Sequence, residues 1–276
     1  MTTQVLPLFT PPVVMTQLIK RVVFTGGTGG LGRHVVETLK GEGTEVVVIS
    51  RRRPAVGLQR VRYVQADLSE PAGIAEAAAI VKREEPDLLV NMAGVQYFGP
   101  AELQSLDDLQ RSYAINLIAP VALCQACLPF MKRRKSGHVV NVGSIIGSIG
   151  MANFATYASA KAGLRVFSEA LRREVSGTSI AVTYIAPRAV RTAMLSPKIG
   201  EYADLTGMNI DAPEGVAEKI MAAIRARRKE VFIGFPERLF VRLNAVLPGL
   251  VDAAVARGDR KAKDLFSETV TSKTGG

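Results

Sequence analysis

The chain contains no tryptophan, two cysteines and two histidines among its 276 residues. Two cysteines cannot form a disulfide framework, and two histidines leave almost no further ligands for zinc, so we predict no metal site. Cys124 and Cys127 form a C-x-x-C inside an apolar helical pattern, which predicts two buried thiols of the core. This sparse use of cysteine favours a reducing cytoplasm.

Long apolar runs are also missing. No uninterrupted run reaches the roughly 18–20 residues that a membrane-spanning helix needs. The start of the chain, MTTQVLPLFTPPVVMTQLIKR, has no charged region before its apolar part and no small-residue cleavage site, which argues against a secretory signal. We expect residues 1–19 to be a loose extension, with Met15 as an alternative start.

Acidic residues are scarce relative to basic ones, 25 against 35, and the formal charge is +10. Basic clusters lie at 51–53, 132–135 and 225–229. The last two follow helical patterns, where cations complement the helix dipole, so we expect solvated helix ends. No recognition helix or interleaved aromatics accompany them, which argues against nucleic-acid binding. An acidic acyl-carrier protein is kept as an alternative partner for these two clusters.

A regular alternation of strand and helix patterns fills most of the chain. Short β-branched runs lie at 20–26, 45–50, 61–66, 87–92, 138–144, 179–186 and 230–234. They are almost entirely apolar, as strands buried on both faces of a parallel sheet are. Helical patterns separate most of them, and DAPE at 211–214 resembles a capping box that opens one helix. The alternation predicts an α/β fold, a Rossmann-type doubly wound parallel sheet of about seven strands with helices on both faces. We expect one domain from 20 to 235 and a tail from 236 to 276.

The first strand runs into a glycine-rich turn, TGGTGGLG at 25–32, and then into a helix. Gly26, Gly30 and Gly32 allow a sharp turn, close approach of a pyrophosphate and a helix start whose amides attract anions. Since the motif stands between a strand and a helix, it predicts a dinucleotide-binding loop.

The second strand ends VVVISRRR, where dinucleotide folds often carry an acid that binds the ribose 2′-hydroxyl. Ser50 and Arg51 would instead donate hydrogen bonds to a 2′-phosphate, and Arg52 or Arg53 could share that role. The predicted cofactor is therefore NADP(H).

These residues, together with further motifs, resemble the short-chain dehydrogenase/reductase family in its compact single-domain form. The matching marks are TGGTGGLG, ADL (66–68), NMAG (91–94), Asn116 in INLIAP, Ser144 and YASAK (157–161). The resemblance covers about residues 20–235. It implies an oxidoreductase that acts on the CH–OH or C=O group of a small-molecule substrate. It also implies a dimer or tetramer formed through the helices around 100–131.

Three polar side chains within these motifs suit proton transfer. Tyr157 and Lys161 are four residues apart and share one helical face. A neighbouring ammonium and the oxidised cofactor would both lower the pKa of the phenol towards the range of a proton shuttle. Ser144 would hydrogen-bond the substrate carbonyl oxygen. The resemblance gives Asn116 the role of holding a water that links Lys161 to solvent.

The resemblance also assigns the cofactor contacts. Asp67 and Leu68 are expected at the adenine, and Asn91, Ala93 and Gly94 at the ribose. Pro187, Val190 and Thr192 match a P-G-x-V-x-T pattern beside the cofactor. The full expected set is Gly26, Thr28, Gly30, Leu31, Gly32, Ser50, Arg51, Arg52, Asp67, Leu68, Asn91, Ala93, Gly94, Tyr157, Lys161, Pro187, Val190 and Thr192.

The substrate wall is expected to be mostly apolar, which favours an aliphatic or acyl ketone or aldehyde. The residues assigned to it are Val95, Ile146, Met151, Phe154, Arg188 and Met194. Arg188 stands where the family pattern has glycine. Its guanidinium either faces the substrate mouth, favouring acidic or phosphorylated substrates, or points to solvent. Residues 193–212 form a long connection that we predict to be a mobile lid.

The tail carries an apolar helical stripe that Pro248 and Gly249 should kink or divide. The stripe consists of Leu239, Phe240, Leu243, Val246, Leu247 and Leu250. Packing on its own domain, contact with another subunit, and docking on a membrane surface are three alternatives for it.

The favoured function is an NADPH-dependent carbonyl reductase of the 3-oxoacyl type, whose substrates include acyl thioesters. A reductase of small aldehydes and ketones with broad tolerance is the first alternative. A redox-inactive NADP(H)-binding regulator is the second. An epimerase or dehydratase that keeps its cofactor bound is the third, and the chain lacks the longer substrate domain usual in those enzymes.

Overall fold

The structure is a computed structural model that describes residues 19–266. Except for Ile19, the predicted extension 1–19 lies outside the described residues, as does the tail after Phe266. Nine strands form within the described part of the chain. They are β1 Arg21–Thr25, β2 Glu45–Ser50, β3 Val61–Gln65, β4 Leu88–Asn91, β5 Gly137–Val142, β6 Ile180–Pro187, β7 Ala189–Val190, β8 Ile210–Asp211 and β9 Glu230–Ile233.

Seven of these strands make one parallel sheet in the order β3-β2-β1-β4-β5-β6-β9, and β7 and β8 pair separately. All seven apolar runs of the sequence supply these strands, so the predicted Rossmann-type sheet is confirmed. β4 lies at the centre, and its neighbour β1 is also an interior strand, in which Val22 pairs with Val46 on one side and Leu88 on the other. The runs are apolar because helices cover both faces of the sheet.

Helices and short helical turns connect the strands. The helices are α1 Gly30–Gly41, α2 Pro71–Glu84, α3 Leu106–Tyr113, α4 Ala119–Arg133, α5 Ala155–Glu174, α6 Pro197–Thr206, α7 Pro213–Arg225, α8 Glu237–Val246 and α9 Pro248–Lys261. A π-helical turn, Ala114–Ile118, joins α3 to α4. A 3-10 turn, Ile145–Gly147, follows β5.

The continuous helical stretch Leu106–Arg133 is long and apolar enough to span a membrane by length and composition. The sequence expectation that no segment reaches this limit is therefore wrong for this stretch. Within the domain, 61% of its most apolar window is buried, which accounts for the composition, since a core helix needs apolar residues on most of its surface. Cys124 and Cys127 are fully buried on α4, and burial raises the pKa of the Cys127 thiol to about 12.

One local expectation needs correction. α7 begins at Pro213 without a side-chain cap, because the Asp211 carboxylate that should form the capping box bonds to Arg188 instead. The connection 193–212 contains α6, which Ser196 caps, and β8, and its role as a mobile lid stays a prediction.

Two arginines of the basic clusters, which we expected at solvated helix ends, form hydrogen bonds to backbone oxygens instead. Arg134 donates hydrogen bonds to the backbone oxygens of Pro86 and Ser136. Arg227 donates to those of Gly137 and Ser179. These contacts tie together the loops at the amino ends of the strands.

The described part of the tail divides into α8 and α9 at Leu247, as Pro248 predicts. Val241 and Val251 are buried against Ile145 and Ile149, behind the 3-10 turn that follows β5. Packing on its own domain is therefore seen for one face of the tail, while other apolar residues of the stripe stay exposed.

Candidate active site

A cavity of about 810 Å³ opens at the carboxyl ends of β1, β4, β5 and β6. Gly26, Met92, Gly143 and Pro187, at or just beyond these strand ends, belong to its wall. The carboxyl edge of an open parallel sheet is where such folds bind their ligands.

At two positions the glycine-rich loop leaves no room for a side chain. Gly26 has a φ of +80°, and a Cβ there would lie 2.6 Å from the backbone nitrogen of Ala93. A Cβ at Gly32 would lie 2.1 Å from the carbonyl oxygen of Gly26. α1 begins at Gly30, beside the cavity, so its first amides are available to an anion. The loop has the shape that a pyrophosphate requires.

At the end of β2, Arg51 lines the cavity. The pKa of the nearby Asp67 carboxyl is lowered, mainly by hydrogen bonds from Ser69 and further by the charge of Arg51. The Ser50 hydroxyl donates to the carbonyl oxygen of Arg52 at 2.9 Å. Arg51 is therefore the cation of this cluster that reaches the cavity, whereas Ser50 is engaged with its own chain.

The structure gathers most of the expected cofactor residues around the cavity. Those in its wall are Gly26, Gly30, Leu31, Gly32, Arg51, Gly94, Tyr157, Lys161, Pro187, Val190 and Thr192. Those outside its wall are Thr28, Ser50, Arg52, Asp67, Leu68, Asn91 and Ala93. Leu68, for example, is buried in the core on the α2 side of the sheet.

The position of the Asn91 side chain differs most from expectation. It is 2% exposed and donates a 2.9 Å hydrogen bond to Oδ1 of Asn141, inside the sheet. Asn141 in turn donates to the Ser168 hydroxyl at 2.9 Å. The side chain thus joins β4 to β5 and α5 rather than facing a ribose, because on a doubly buried strand alternate residues point to opposite faces.

Ser144, Tyr157 and Lys161 meet in the cavity wall. Ser144 follows β5, and the other two lie one turn apart on α5. Lys161 Nζ lies 5.8 Å from the centre of the Tyr157 ring and donates to the carbonyl oxygen of Val142 at 3.0 Å. The predicted grouping of a hydroxyl, a phenol and an amine is present.

Their burial shifts both titrating groups. Burial raises the pKa of Tyr157 to about 12, against the opposing effect of a hydrogen bond with Ser144. Burial lowers the pKa of Lys161 to about 8. In the protein alone, loss of solvent therefore outweighs the hydrogen bond with Ser144, and the lowered phenol pKa expected with the oxidised cofactor bound stays a prediction. The phenol is held in its protonated form at neutral pH.

Asn116 lies in the π-helical turn and is fully buried. Its amide nitrogen donates to the Val95 carbonyl oxygen at 2.8 Å, and its Oδ1 accepts from the Val95 nitrogen at 3.3 Å. Both ends of the side chain therefore hold the segment after β4. The water-holding role that the resemblance gives Asn116 stays a prediction.

The sequence does not indicate one residue that contacts the site. Tyr184, on β6, is fully buried, and its hydroxyl lies 3.4 Å from both the nitrogen and the oxygen of Ser144. A Cβ at Gly143 would overlap this hydroxyl, at 2.0 Å. Tyr184 therefore contacts the backbone that carries Ser144, and a strand that is buried on both faces does not reveal which of its residues does so.

Apart from Ser144, Tyr157 and Lys161, the wall contains apolar residues and also polar ones, among them Gln96, Asp108 and Arg111. Val95, Ile146, Phe154, Arg188 and Met194 line the cavity as expected, together with Tyr97, Leu195, Ile199 and Met208. Met151 does not line it and packs beside the cluster that contains Phe154 and Tyr202.

The Arg188 guanidinium takes neither of the two orientations expected for it. It donates two hydrogen bonds to the Asp211 carboxylate, at 3.0 and 2.6 Å, and reaches the Glu237 carboxylate at 3.0 Å. Its side chain is 18% exposed. Two carboxylates neutralise its charge, so it does not offer a free cation to an acidic substrate. It instead links the loop after β6 to β8 and to the start of the tail.

The residues present fit a dinucleotide cofactor, because the glycines of the loop line the same cavity as Ser144, Tyr157 and Lys161. The family model described as short chain dehydrogenase matches residues 20–202. Dehydrogenase/reductase SDR family member 7B of Bos taurus is 33% identical over 270 residues, covering 88% of this chain and 83% of the relative. Ketoacyl reductase HetN of Nostoc sp. is 29% identical over 233 residues, covering 78% of each chain.

The fold is also similar to that of a solved structure. The short-chain dehydrogenase from Streptomyces avermitilis superposes with a TM-score of 0.73 at 27% identity, covering 87% of this chain and 98% of that one. The matched model, the relatives and the arrangement of Ser144, Tyr157 and Lys161 lead to one conclusion: the chain belongs to the short-chain dehydrogenase/reductase family of oxidoreductases.

Proposed function

We propose that the protein is an NADPH-dependent carbonyl reductase with Tyr157 as proton donor and an apolar or acyl ketone or aldehyde as substrate. The observation that carries the proposal is that one cavity is lined by three groups of residues. They are the phosphate loop with Arg51, Tyr157 with its partners, and a set of apolar side chains.

The chemistry of reduction requires a hydride, which a bound nicotinamide supplies, and a proton. Tyr157 is protonated at neutral pH, since its pKa is about 12, and can donate that proton to the substrate oxygen. The Ser144 hydroxyl can donate a hydrogen bond to the same oxygen and stabilise the charge that develops there. The buried Lys161 amine favours loss of the phenolic proton and can return one to it.

Preference for NADPH rests on Arg51. Its guanidinium lines the cavity after β2, where an acid would be needed to bind the free 2′-hydroxyl of NADH. A guanidinium binds a 2′-phosphate with charge-assisted, bidentate hydrogen bonds.

Two observations support an acyl or other apolar substrate. Ile146, Phe154, Leu195 and Met208 give the cavity wall apolar surface that an acyl chain can contact, beside the polar residues Gln96, Asp108 and Arg111. One relative, from Nostoc sp., bears the name ketoacyl reductase. Arg188 adds no preference for an acidic group, because its charge is neutralised.

A substrate panel tests the proposal. Ketones, aldehydes and 3-oxoacyl thioesters of increasing chain length are assayed with NADPH and with NADH. We expect kcat/KM to rise with chain length and to be higher with NADPH. Equal rates on short and long substrates would instead support the broad-tolerance reductase, and cofactor binding without turnover of any substrate would support the regulator.

We also propose that the protein forms a homodimer or homotetramer through α3, α4 and α5. Leu106, Ile118 and Val166 are large apolar residues that stay exposed on this surface. Light scattering after size-exclusion chromatography should show an oligomer that Ile118→Asp with Val166→Asp converts to monomers. A wild-type monomer would contradict this.

A further inference from the structure

The last described part of the tail packs against residues that line the cavity. Five apolar residues of the cavity wall belong to one hydrophobic cluster, either as buried members or packed against it: Ile146, Phe154, Leu195, Ile199 and Met208. Ala262, just after α9, is fully buried in the same cluster, and Leu265 packs against it. The tail therefore forms part of the packing that supports this apolar wall.

Four aromatic rings take part in this packing, and we call Phe98, Phe154, Tyr202 and Phe266 the aromatic cluster. The ring centre of Phe98 lies 4.6 Å from that of Phe154, 5.2 Å from that of Tyr202 and 5.1 Å from that of Phe266. Of the four, Phe154 lines the cavity and the other three do not. Phe266, which the tail contributes, is therefore linked to the cavity wall through Phe98 and then Phe154.

The tail also fixes α6, which contributes Ile199 to the cavity wall. The Tyr202 hydroxyl donates to the Asp259 carboxylate on α9 at 3.1 Å. Lys198 Nζ lies 4.2 Å from the centre of the Phe266 ring, close enough for a cation–π contact. Two residues of α6 are thus held by two different parts of the tail, so the position of this part of the wall depends on the tail.

This packing limits how far an apolar substrate can extend. Each methylene that a chain buries against the wall should raise kcat/KM by about fourfold. That gain ends where the chain meets packed side chains, because protein interiors contain few voids and inserted volume displaces them at a cost. Phe154 is 1% exposed and is held by Phe98 and Tyr202, so it has little freedom to move aside.

We propose that the aromatic cluster, completed by Phe266 of the tail, sets the longest substrate chain that the cavity accepts. The inference rests on the proposed reductase function and deepens it, since it assigns the length limit to residues outside the cavity wall. Phe98 and Phe266 are positioning residues, because they act through Phe154. The tail thereby has a part in substrate choice as well as in the packing of the domain.

The dependence of kcat/KM on chain length tests the inference. Straight-chain 3-oxoacyl thioesters that differ by one methylene are assayed with NADPH. In the wild type, kcat/KM should rise with length up to a limit and then fall. Phe266→Ala and the milder Phe266→Leu should move this limit to longer chains, because Phe98 and Phe154 gain room to shift. One step beyond the wild-type limit, Phe266→Ala should exceed the wild type by about fourfold or more.

Three further variants test the direction and the specificity of the effect. Phe98→Leu should also move the limit to longer chains, and Leu195→Phe, which adds volume to the wall itself, should move it to shorter ones. Phe130→Leu is the matched control, since Phe130 is a buried phenylalanine of α4 outside the cavity wall. It should keep the wild-type limit. Circular dichroism shows whether the variants are folded.

A binding measurement separates this inference from the reductase function. Isothermal titration with straight-chain 2-alkanones of increasing length needs no turnover. A binding limit that moves in Phe266→Ala, in a protein that reduces no carbonyl, would support the inference and contradict the reductase function. Loss of kcat/KM by one factor at every length, with the limit unchanged, would show that Phe266 only stabilises the fold. That result, or a wild type without a length limit, would overturn the inference and leave the reductase function standing.

Discussion

Lys161 and Tyr157 lie on successive turns of α5 with the amine 5.8 Å from the centre of the phenol ring, and the amine donates to the Val142 carbonyl oxygen. The lysine is thus held by the backbone of β5 and not by the phenol itself. In the proposed mechanism its effect on Tyr157 is therefore that of a nearby charge. Since both groups are fully buried, that charge is poorly screened.

Lys161→Met should remove the charge while keeping most of the volume. We expect kcat for carbonyl reduction to fall by about 100-fold or more, the usual scale of assisted proton transfer. Steady-state kinetics with NADPH measures it, and Lys219→Met, on the exposed side of α7, is the matched control. A kcat within the range of that control would show that the lysine has no part in proton transfer.

The reductase should lose activity in alkali. Burial lowers the pKa of Lys161 to about 8, so the amine is charged below that pH and loses its charge as the pH rises through it. Tyr157 keeps its proton until about pH 12. A kcat profile from pH 6 to about 10 should therefore be flat on the acid side and fall above about 8. A profile that rises through this range would contradict the assignment.

Arg51→Ala should change cofactor choice. Loss of a charge-assisted contact with the 2′-phosphate should weaken NADPH binding by about tenfold or more, and NADH binding should stay the same. Isothermal titration with both cofactors measures this. Arg53→Ala, two residues away and outside the cavity wall, should have little effect. Equal losses of affinity for NADPH and NADH would show that Arg51 does not bind the 2′-phosphate.

Arg188→Ala should destabilise the fold. Removing the guanidinium leaves the Asp211 and Glu237 carboxylates unpaired in a partly buried site, which should cost about 2 kcal/mol of unfolding free energy. Urea denaturation measures it. Arg33→Ala breaks an exposed i,i+4 pair with Glu37 and should cost about 0.5 kcal/mol or less. Similar losses of unfolding free energy in the two variants would show that the ion pairs of Arg188 stabilise the fold no more than an exposed pair does.

His138 should make the protein sensitive to acid. It is buried on β5 with Nε2 2.8 Å from the Thr183 hydroxyl, and burial lowers its pKa to about 3. The unfolded chain binds a proton near the ordinary value of 6.5, so stability is present above that pH and is lost as the pH falls towards 3. His138→Gln should lose less unfolding free energy than the wild type between these values. If the unfolding free energies of the two proteins fell equally as the pH is lowered, His138 would not be the source of the acid sensitivity.

Much of the fold could be predicted because its determinants are local. Most sheet strands are apolar runs of four to eight residues, the edge strand β3 (VRYVQ) being the most polar, and strand–helix alternation limits the topology to a parallel, right-handed arrangement. The grouping of Tyr157 with Lys161 follows from helical spacing alone. Ser144 joins them because it ends a neighbouring strand of the same sheet edge.

Contacts between distant segments could not be predicted in the same way. The partners of Arg188 lie 23 and 49 residues away, and no local pattern distinguishes them from solvent. The inward turn of Asn91 depends on which face of β4 each residue takes, and a strand that is apolar throughout carries no such information. The raised pKa of Tyr157 follows from complete burial, which spacing does not reveal.

The central claim is that Tyr157 donates a proton during NADPH-dependent reduction of a carbonyl. Its most direct test follows NADPH oxidation at 340 nm over the ketone and 3-oxoacyl panel for the wild type, Tyr157→Phe and the control Tyr63→Phe, with NADPH affinity measured in parallel. We expect the wild type and the control to turn over, and Tyr157→Phe to bind NADPH normally with kcat lower by about 100-fold or more. Turnover by Tyr157→Phe at the wild-type rate, or a wild type that oxidises no NADPH with any member of the panel, would contradict the claim.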